Sequence, residues 1–284
     1  AFLVDNLGAA LGDDALVERV REPVHLTIHT LDTGSRLQGE AVGGLFVIPF
    51  VFVMVVLLAS QVTSGYLMSG VVEEKANRIM EILITSVTPF QLLLGKLIGL
   101  GALGLTQLGV WIAAGLIGLR LAQNTPFFSA VSLPADLVFF GVVYFLLSYI
   151  LYASMMAGIG AVVGSEQESR QIAGIFSLAM VLPLFFIVNY FTDPNGAIPV
   201  LLTLIPFTAP ISVMMRLGFS AVPAWQLIVS IVLLLMTTVG VVWASARVFR
   251  WALLMYGKRP GIRDIVRAVR RAPRMATVRQ EQPS

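Results

Sequence analysis

Long apolar runs alternate with short polar segments along most of this chain, and five of the runs are long enough to cross a membrane as helices. A helix satisfies its own backbone hydrogen bonds, which an isolated extended segment in lipid cannot do. The predicted spans lie at about 41–69, 92–121, 137–164, 172–190 and 225–246. The pattern therefore predicts an all-α integral membrane protein with five transmembrane helices, whose membrane domain covers residues 41–249.

A sixth apolar stretch, residues 198–222, differs from the others because prolines interrupt it. Pro199, Pro206 and Pro210 leave no run of spanning length, since proline breaks a helix or fixes its start. We predict a segment of short helices here, re-entrant or at the external membrane surface, and buried against the rest of the protein.

The composition indicates a protein solvated by lipid. Of the 284 residues, 57% are hydrophobic and 12% are charged, whereas a soluble domain is about 25% charged. A soluble enzyme of this size could not bury so much apolar surface. Because the sequence contains no cysteine, disulfides, thiolate metal sites and cysteine nucleophiles are excluded from it.

Positive charge is concentrated near the C-terminal end. Residues 247–284 hold ten Lys/Arg and two Asp/Glu, although the whole sequence carries a net charge of only +3. In the basic tail, residues 250–284, one helical face is apolar at Ile262, Ile265 and Val269. Such a helix is typical of a segment lying on anionic lipid, and an acidic face of a partner protein is the alternative. The tail contains no recognisable nucleic-acid-binding module, so we expect no nucleic acid partner.

The distribution of Lys and Arg predicts the orientation. With the C-terminus in the cytoplasm, fourteen of the 19 Lys/Arg lie on that side and five lie outside, as cytoplasmic loops of membrane proteins prefer. Five spans then place the N-terminus outside a cell membrane, either an inner or a plasma membrane. Residues 1–40, with a strand-like alternation at Val24, Leu26 and Ile28, would be external. They contain no signal peptide, so we expect the remnant of an extracytoplasmic domain whose preceding span is absent from this sequence.

The segment between the first two spans has the most informative pattern. The pattern of residues 73–85 predicts an amphipathic helix on the cytoplasmic side. Its apolar face is formed by Ala76, Ile79, Met80 and Leu83, and its polar face by Glu74, Arg78, Glu81 and Thr85. Glu74 and Arg78 are spaced to pair on that polar face.

A helix start follows directly. Thr88 and Gln91 have the spacing of a capping box, and Pro89 occupies the first helical position. A short helix held between two spans in this way has two interpretations. It could simply join the spans at the membrane surface, or it could be a docking element that transmits a push from a cytoplasmic partner into the membrane.

Four short motifs here resemble the signature of type-2 ABC export permeases: Glu73-Glu74-Lys75, Met80-Glu81-Ile82-Leu83, Thr88-Pro89-Phe90-Gln91 and Gly95-Lys96. Residues 165–171 resemble the short cytoplasmic turn of that family, and residues 205–210 with Arg216 resemble its proline-rich external segment. The most similar subgroup is that of sodium-extrusion permeases. These permeases normally have six spans and a large external domain after the first, and this sequence lacks that first span.

The resemblance implies the permease subunit of an ATP-driven exporter. A separate ABC ATPase would bind ATP and Mg, so that this chain would need no cofactor, and a second permease subunit would complete a homodimer or heterodimer. Residues 73–85 would be the coupling helix, in which Glu73, Glu74, Arg78, Glu81 and Leu83 orient or contact the ATPase. Pro89 and Gln91 would shape the next helix start, Gly95 would allow close packing, and Lys96 would anchor that helix. The re-entrant segment would carry Pro206, Pro210 and Arg216.

Glu73, Glu74 and Arg78 also resemble the first motif of intramembrane CAAX-type proteases. Such a protease needs histidine near its carboxylates. The two histidines of this sequence, His25 and His29, both lie in the external segment, about 13 Å apart if it forms a strand. The sequence also contains no Gly-x-x-x-x-Gly-Lys-Ser/Thr loop that would cradle ATP phosphates. We therefore expect no enzymatic activity in this chain, and the remaining alternative to transport is a membrane anchor or assembly subunit.

No charged residue lies near the middle of a predicted span, since Arg120, Asp136, Glu166 and Asp193 all fall at or beyond the span ends. The polar residues farther inside are neutral and include Gln61, Thr63, Ser64, Thr106, Gln107, Tyr144, Ser148, Tyr149 and Tyr152. They could form hydrogen bonds between packed helices, or line a surface that tolerates amphiphilic substrates. A charge inside a span usually marks an ion route, so the lack of a carboxylate near the middle of a predicted span weakens the case for sodium against a drug or a lipid-like substrate.

Overall fold

The computed structural model of this chain describes residues 27–29, 36–38, 40–122, 125, 135–163 and 165–254, and the side chains from Val47 onward except those at 48, 81, 84, 253 and 254. The predicted tail helix and most of residues 1–40 lie outside the described residues. Two strands, β1 (Thr27–His29) and β2 (Arg36–Gln38), pair antiparallel with Thr27 opposite Gln38. The helices are α1 (Glu40–Ala76), α2 (Ile79–Ser86), α3 (Pro89–Ala122), α4 (Ala135–Val162), α5 (Glu166–Val181), α6 (Ile187–Thr192), α7 (Ala197–Leu204), α8 (Ala209–Phe219) and α9 (Ala224–Leu254).

Five segments of the described chain are long and apolar enough to cross a membrane, as the hydropathy pattern predicts. They are Pro49–Ala76, Pro89–Ala122, Ala135–Val162, Glu166–Thr192 and Ala224–Ala252. The fourth is not a uniform helix, because a 3-10 turn at Leu182–Phe186 joins α5 to α6. Pro183 lies in this turn, where a proline removes one backbone donor from the helix. The fourth span therefore changes its helix type locally at Pro183.

Helix α4 is the centre of the fold and packs between α1 and α9. Its aromatic residues Tyr144, Phe145, Tyr149 and Tyr152 are fully buried. The Tyr149 hydroxyl donates to the Leu97 carbonyl at 2.9 Å, and the Tyr152 hydroxyl donates to the Phe207 carbonyl at 2.8 Å. These two tyrosines therefore form hydrogen bonds between packed elements, which was the first of the two interpretations for polar residues in the spans.

The proline-interrupted stretch forms two short helices, α7 and α8, as predicted. Residues 209–216 of α8 are buried, and the helix packs against α1 and α4. A Cβ atom at Gly218 would overlap Cβ of Pro49, so the glycine permits α8 to approach the N-terminal part of α1. The α7–α8 segment is thus attached to the end of α1 that is remote from α2.

The prediction of one continuous helix over residues 73–85 is wrong. Residues 73–76 are the last turn of α1, and α2 begins only at Ile79. Arg78 separates them in a left-handed conformation with φ 57°, which ends helical periodicity. Glu74 and Arg78 therefore do not share a helical face, and the pair expected between them does not form.

Candidate cytoplasmic coupling site

An elbow at residues 77–78 joins the end of α1 to α2. The Asn77 amide still donates to the Glu73 carbonyl at 2.9 Å, and the Arg78 amide donates to the Lys75 carbonyl at 3.3 Å. A left-handed backbone is uncommon for a residue with a side chain and is retained where the surroundings determine it. The elbow is therefore a defined turn that sets the direction of α2.

Helix α2 is attached to the protein by one face and exposed on the other. Met80 is buried and Leu83 packs against the core. Ile79 and Ile82 are on the open side, and the side chain of Ile82 is 71% exposed. The side chain of Glu81 lies outside the described part of the chain. The short helix thus presents apolar surface beyond what its own subunit covers.

The start of α3 has the predicted capping box. The Gln91 side chain accepts hydrogen bonds from the Thr88 amide and hydroxyl, both at 2.9 Å. The backbone amide of Gln91 donates to the Thr88 hydroxyl at 3.3 Å, and Pro89 is the first residue of α3. Because the side chains of Thr88 and Gln91 each accept a hydrogen bond from the backbone amide of the other, α2 is joined to α3 by a stiff connection.

Two charged side chains at the end of α1 bind neighbouring spans. The Lys96 ammonium on α3 forms an ion pair with the Glu74 carboxylate at 2.5 Å. The Lys75 ammonium donates to the carbonyl oxygens of Ala161, at 2.6 Å, and Val163, at 3.3 Å, at the C-terminus of α4. A helix C-terminus exposes unpaired carbonyls and partial negative charge, which a cation satisfies. Lys96 thus joins α3 to α1 of the same subunit, and its expected role as the anchor of α3 at the interface stays a prediction.

A third contact joins α1 to α5. The Ser69 hydroxyl donates to the Glu166 carboxylate at 3.0 Å, and the same carboxylate accepts from Arg170 at 2.6 Å. Ser165 caps α5 by accepting from the Glu168 amide at 3.3 Å. Residues 165–171 therefore form the first turn of a helix held against α1. We call the contacts of Ser69, Glu74 and Lys75 with α3, α4 and α5 the clamp.

The predicted packing role of Gly95 is wrong within this subunit. A Cβ atom at Gly95 or Gly99 would meet nothing within 4 Å, whereas one at Gly101 would lie 2.9 Å from the Tyr149 ring. At Gly104 it would lie 2.8 Å from the Phe145 ring. Gly95 and Gly99 thus face away from the described part of the protein. The close approach of α3 to α4 occurs at Gly101 and Gly104.

The candidate residues of the α7–α8 segment are far from the clamp. Pro206 lies in the turn between α7 and α8, and Pro210 is in the first turn of α8. The buried Arg216 guanidinium donates to four neutral acceptors: the Pro194 carbonyl, the Thr203 hydroxyl, and the side-chain oxygens of Asn195 and Gln226. It therefore joins α8 to α7, to the loop after α6 and to α9. From Pro49, which α8 contacts, to Glu74 is about 37 Å along α1.

Sequence reasoning missed Ser69, Lys75 and Glu166 as members of the clamp. Lys75 stood within a motif but had no assigned role, because its partners are backbone carbonyls 86 and 88 residues away. The one available signal was a basic residue at the end of a span, where it can reach a neighbouring helix C-terminus.

The structure places the histidine and the carboxylates of the protease alternative far apart. His29 is in β1, before the start of α1, whereas Glu74 lies near the end of that 37-residue helix. A helix of this length extends about 55 Å. In the part of the chain that the structure describes, no cluster of three or more His, Asp or Glu could hold a metal ion. The arrangement around α2 is suited to mechanical transmission between helices.

Comparisons with known proteins identify a family that matches most of this chain. The sequence pattern of the ABC-2 family transporter proteins matches residues 7–247. The chain is 26% identical to the uncharacterized protein MJ1024 of Methanocaldococcus jannaschii, over 94% of this chain and 64% of that protein. It is 31% identical to the uncharacterized protein YhaP of Bacillus subtilis, over 88% of this chain and 61% of that protein. The chain thus spans somewhat less than two thirds of the length of these relatives.

No solved structure shows significant similarity to this chain. The family match nevertheless covers most of the sequence, including all of α1 to α8 and the capped turn before α3. Its description agrees with five helices able to span a membrane. This chain is therefore a multi-pass membrane protein that belongs to the ABC-2 family of transporter proteins.

Proposed function

We propose that this chain is the permease subunit of an ATP-driven exporter and that α2 is the surface on which a separate ABC ATPase docks. The observation that carries the proposal is the exposure of Ile79 and Ile82 on a helix whose other face is fixed by Met80 and Leu83. Apolar residues of this kind form the centre of protein interfaces, with charged residues around them. Glu73, Arg78 and Glu81 would supply that charged rim.

The clamp would carry the motion of α2 into the membrane. A displacement of α2 acts on α1 through the elbow at Arg78 and on α3 through the capped turn at Thr88. The pair between Glu74 and Lys96 keeps the ends of α1 and α3 together, and Lys75 links the same end to α4. Closing of the ATPases would therefore move several spans as a unit.

The remaining partners follow from this assignment. ATP and Mg would be held by the ATPase, and a second permease subunit, identical or different, would complete the pathway. The side bearing α2 and the basic tail would be cytoplasmic in an inner or plasma membrane. The substrate is an exported ion, drug or lipid-like molecule, and the neutral spans favour the latter two over sodium.

Charge introduced on the exposed face of α2 tests the docking surface. The full chain would be co-expressed with candidate ABC ATPases from the same genome, and complexes would be purified and assayed for ATP hydrolysis. Ile82→Asp should abolish co-purification and the stimulation of ATP hydrolysis, because a carboxylate would be buried in an apolar contact. Gln167→Asp is the matched control, because it adds the same charge at an exposed position of α5 on the same side of the spans as α2.

The matched control should retain both the complex and its activity. If Ile82→Asp leaves co-purification unchanged while an ATPase partner binds the parent chain, α2 is not the docking surface. A partner that binds but whose ATP hydrolysis never drives substrate movement in vesicles would favour the alternative of a membrane anchor or assembly subunit.

A further inference from the structure

The C-terminal end of α9 lies on the same side of the spans as α2. The Thr238 hydroxyl of α9 is 3.5 Å from the Leu147 carbonyl of α4. Further along both helices, a Cβ atom at Gly158 would lie 3.1 Å from the Ser245 hydroxyl. The two helices therefore run in the same direction, and α4 ends at the clamp. Helix α9 continues to Leu254 and so ends beside the clamp and α2.

A segment that follows α9 is long enough to reach α2. Helix α4 packs between α1 and α9, and the axes of packed helices are about 8–10 Å apart. The axis of α9 is therefore within about 20 Å of the axis of α1, which leads into α2. Residues 255–261, which lie outside the described part of the chain, span up to about 23 Å when extended. The rest of the basic tail can thus be placed on α2.

The open face of α2 is an apolar strip with an acidic residue beside it. Ile79 and Ile82 are 42% and 71% exposed, and their spacing places them next to each other on the helix surface. Glu73, just before the elbow, is exposed and forms no ion pair with a side chain that the structure describes. Exposed apolar surface bordered by charge is typical of a contact surface. The strip therefore favours an occupant that has both apolar and basic residues.

The basic tail has these properties. Its sequence places Ile262, Ile265 and Val269 on one face of a helix, with arginines on the remaining surface. Residues 262–269 would form a helix about 12 Å long, which is the length of the eight-residue α2. Asp264 in the same segment is an acidic partner available to Arg78 at the elbow. The tail thus matches α2 in length, apolar pattern and charge.

We propose that residues 262–271 of the basic tail lie on the open face of α2 of the same chain and cover it until an ATPase binds. Ile265 contacts Ile82 in this arrangement, and the arginines of the tail pair with Glu73. The tail and the ATPase then compete for one surface, so the tail lowers the apparent affinity of the permease for the ATPase. This competition rests on the proposed function, whereas the contact between the tail and α2 does not.

Cross-linking in the absence of an ATPase tests the contact, because the chain contains no cysteine. Ile82→Cys and Ile265→Cys would be combined in the full chain, reconstituted into vesicles that contain phosphatidylglycerol and treated with a short bismaleimide. The control combines Ile265→Cys with Gln167→Cys, an exposed position on the same side of the spans. We expect mass spectrometry of the peptides to show linking of residues 82 and 265 within one chain, and little linking in the control.

A charge in the apolar face of the tail tests the competition. Ile265→Asp should release α2, because a carboxylate would otherwise be buried in an apolar contact. A cover that is present about nine-tenths of the time lowers an apparent affinity about tenfold. We therefore expect Ile265→Asp to bind the co-purifying ABC ATPase about tenfold more tightly than the parent. Gln280→Asp adds the same charge beyond Pro273, where the helical pattern ends, and should bind like the parent.

Linking at residues 82 and 265 that is no faster than in the control would overturn the proposal, because the tail then lies elsewhere, such as on the anionic lipid. Links between two chains would also overturn it, since a second copy would then cover α2. If the link forms but Ile265→Asp binds the ATPase no more tightly, the tail does not regulate the site and the proposal fails. An ATPase that binds neither chain would contradict the proposed docking alone, and the cross-linking would still decide the position of the tail.

Discussion

At the scale of single residues, Lys75 has the contacts that best explain how the ends of the spans near α2 hold together. Its ammonium group binds two carbonyl oxygens at the C-terminus of α4. The last carbonyls of a helix have no backbone donor within that helix. Arg216 has the corresponding position at the other end of α1, where it binds four acceptors. Each cation joins the ends of separate helices through neutral acceptors.

Replacement of Lys75 should therefore weaken the fold. Lys75→Met keeps the length of the side chain but leaves the Ala161 and Val163 carbonyls without their donor, and a hydrogen bond from a charged group contributes about 1.5–3 kcal/mol. We expect a lower apparent melting temperature in detergent. Arg78→Met also replaces a cation with methionine, but at an exposed position, and should leave the melting temperature unchanged. Equal melting temperatures for Lys75→Met and the parent would contradict the capping role.

These two cations also show what a sequence can reveal about single residues. The pattern around Arg216 marked it as part of a proline-rich segment, but its partners Asn195, Thr203 and Gln226 come from three separate elements. Glu74 was expected to pair with Arg78 and pairs with Lys96 instead. Local spacing gives the partners available on one helix, whereas folding brings in partners from other helices that compete for the same charge.

At the scale of elements, the hydropathy pattern was sufficient for the five spans, because lipid requires a long apolar helix. The spacing of Thr88 and Gln91 was likewise sufficient for the capping box, because its contacts are local. The sequence pattern of residues 73–85 did not reveal the elbow, since a left-handed Arg78 leaves no mark in an amphipathic pattern. The sequence also could not identify the packing face of α3, because glycines occur on several sides of that helix.

The glycines of α3 provide a test of this packing. In Gly104→Ala the added methyl would lie 2.8 Å from the Phe145 ring on α4 and 3.0 Å from a Thr63 carbon on α1, so these side chains or α3 must shift. Such overpacking typically costs about 1–3 kcal/mol. Gly95→Ala adds the same methyl in open space and should leave stability unchanged or slightly raised.

The measurement is the loss of folded protein with increasing denaturing detergent, for Gly104→Ala, Gly95→Ala and the parent chain. Greater sensitivity of Gly104→Ala alone would agree with the packing described here. If Gly95→Ala were the more damaging of the two, the close contact of α3 would lie on the face that carries Gly95.

At the scale of the whole molecule, α1 connects two regions that lie on opposite sides of the spans. The clamp and α2 are at its C-terminal end, and the α7–α8 segment contacts Pro49 near its beginning. The sequence indicated this separation through the order of its spans. It could not indicate that one helix contacts both regions, because that depends on how α1, α4 and α8 pack together.

The orientation of this arrangement can be measured directly, because the chain contains no cysteine. Asn77→Cys places a thiol at the elbow, and Ala221→Cys places one in the loop between α8 and α9, both at exposed positions. If α2 faces the cytoplasm, a membrane-impermeant maleimide added to intact cells should label Ala221→Cys and leave Asn77→Cys unlabelled. Permeabilised cells should give labelling of both variants, and the cysteine-free parent should give none. Labelling of Asn77→Cys from outside would place α2 on the side where no ATPase has access to ATP, and the docking of an ATPase on Ile82 would then have to be abandoned.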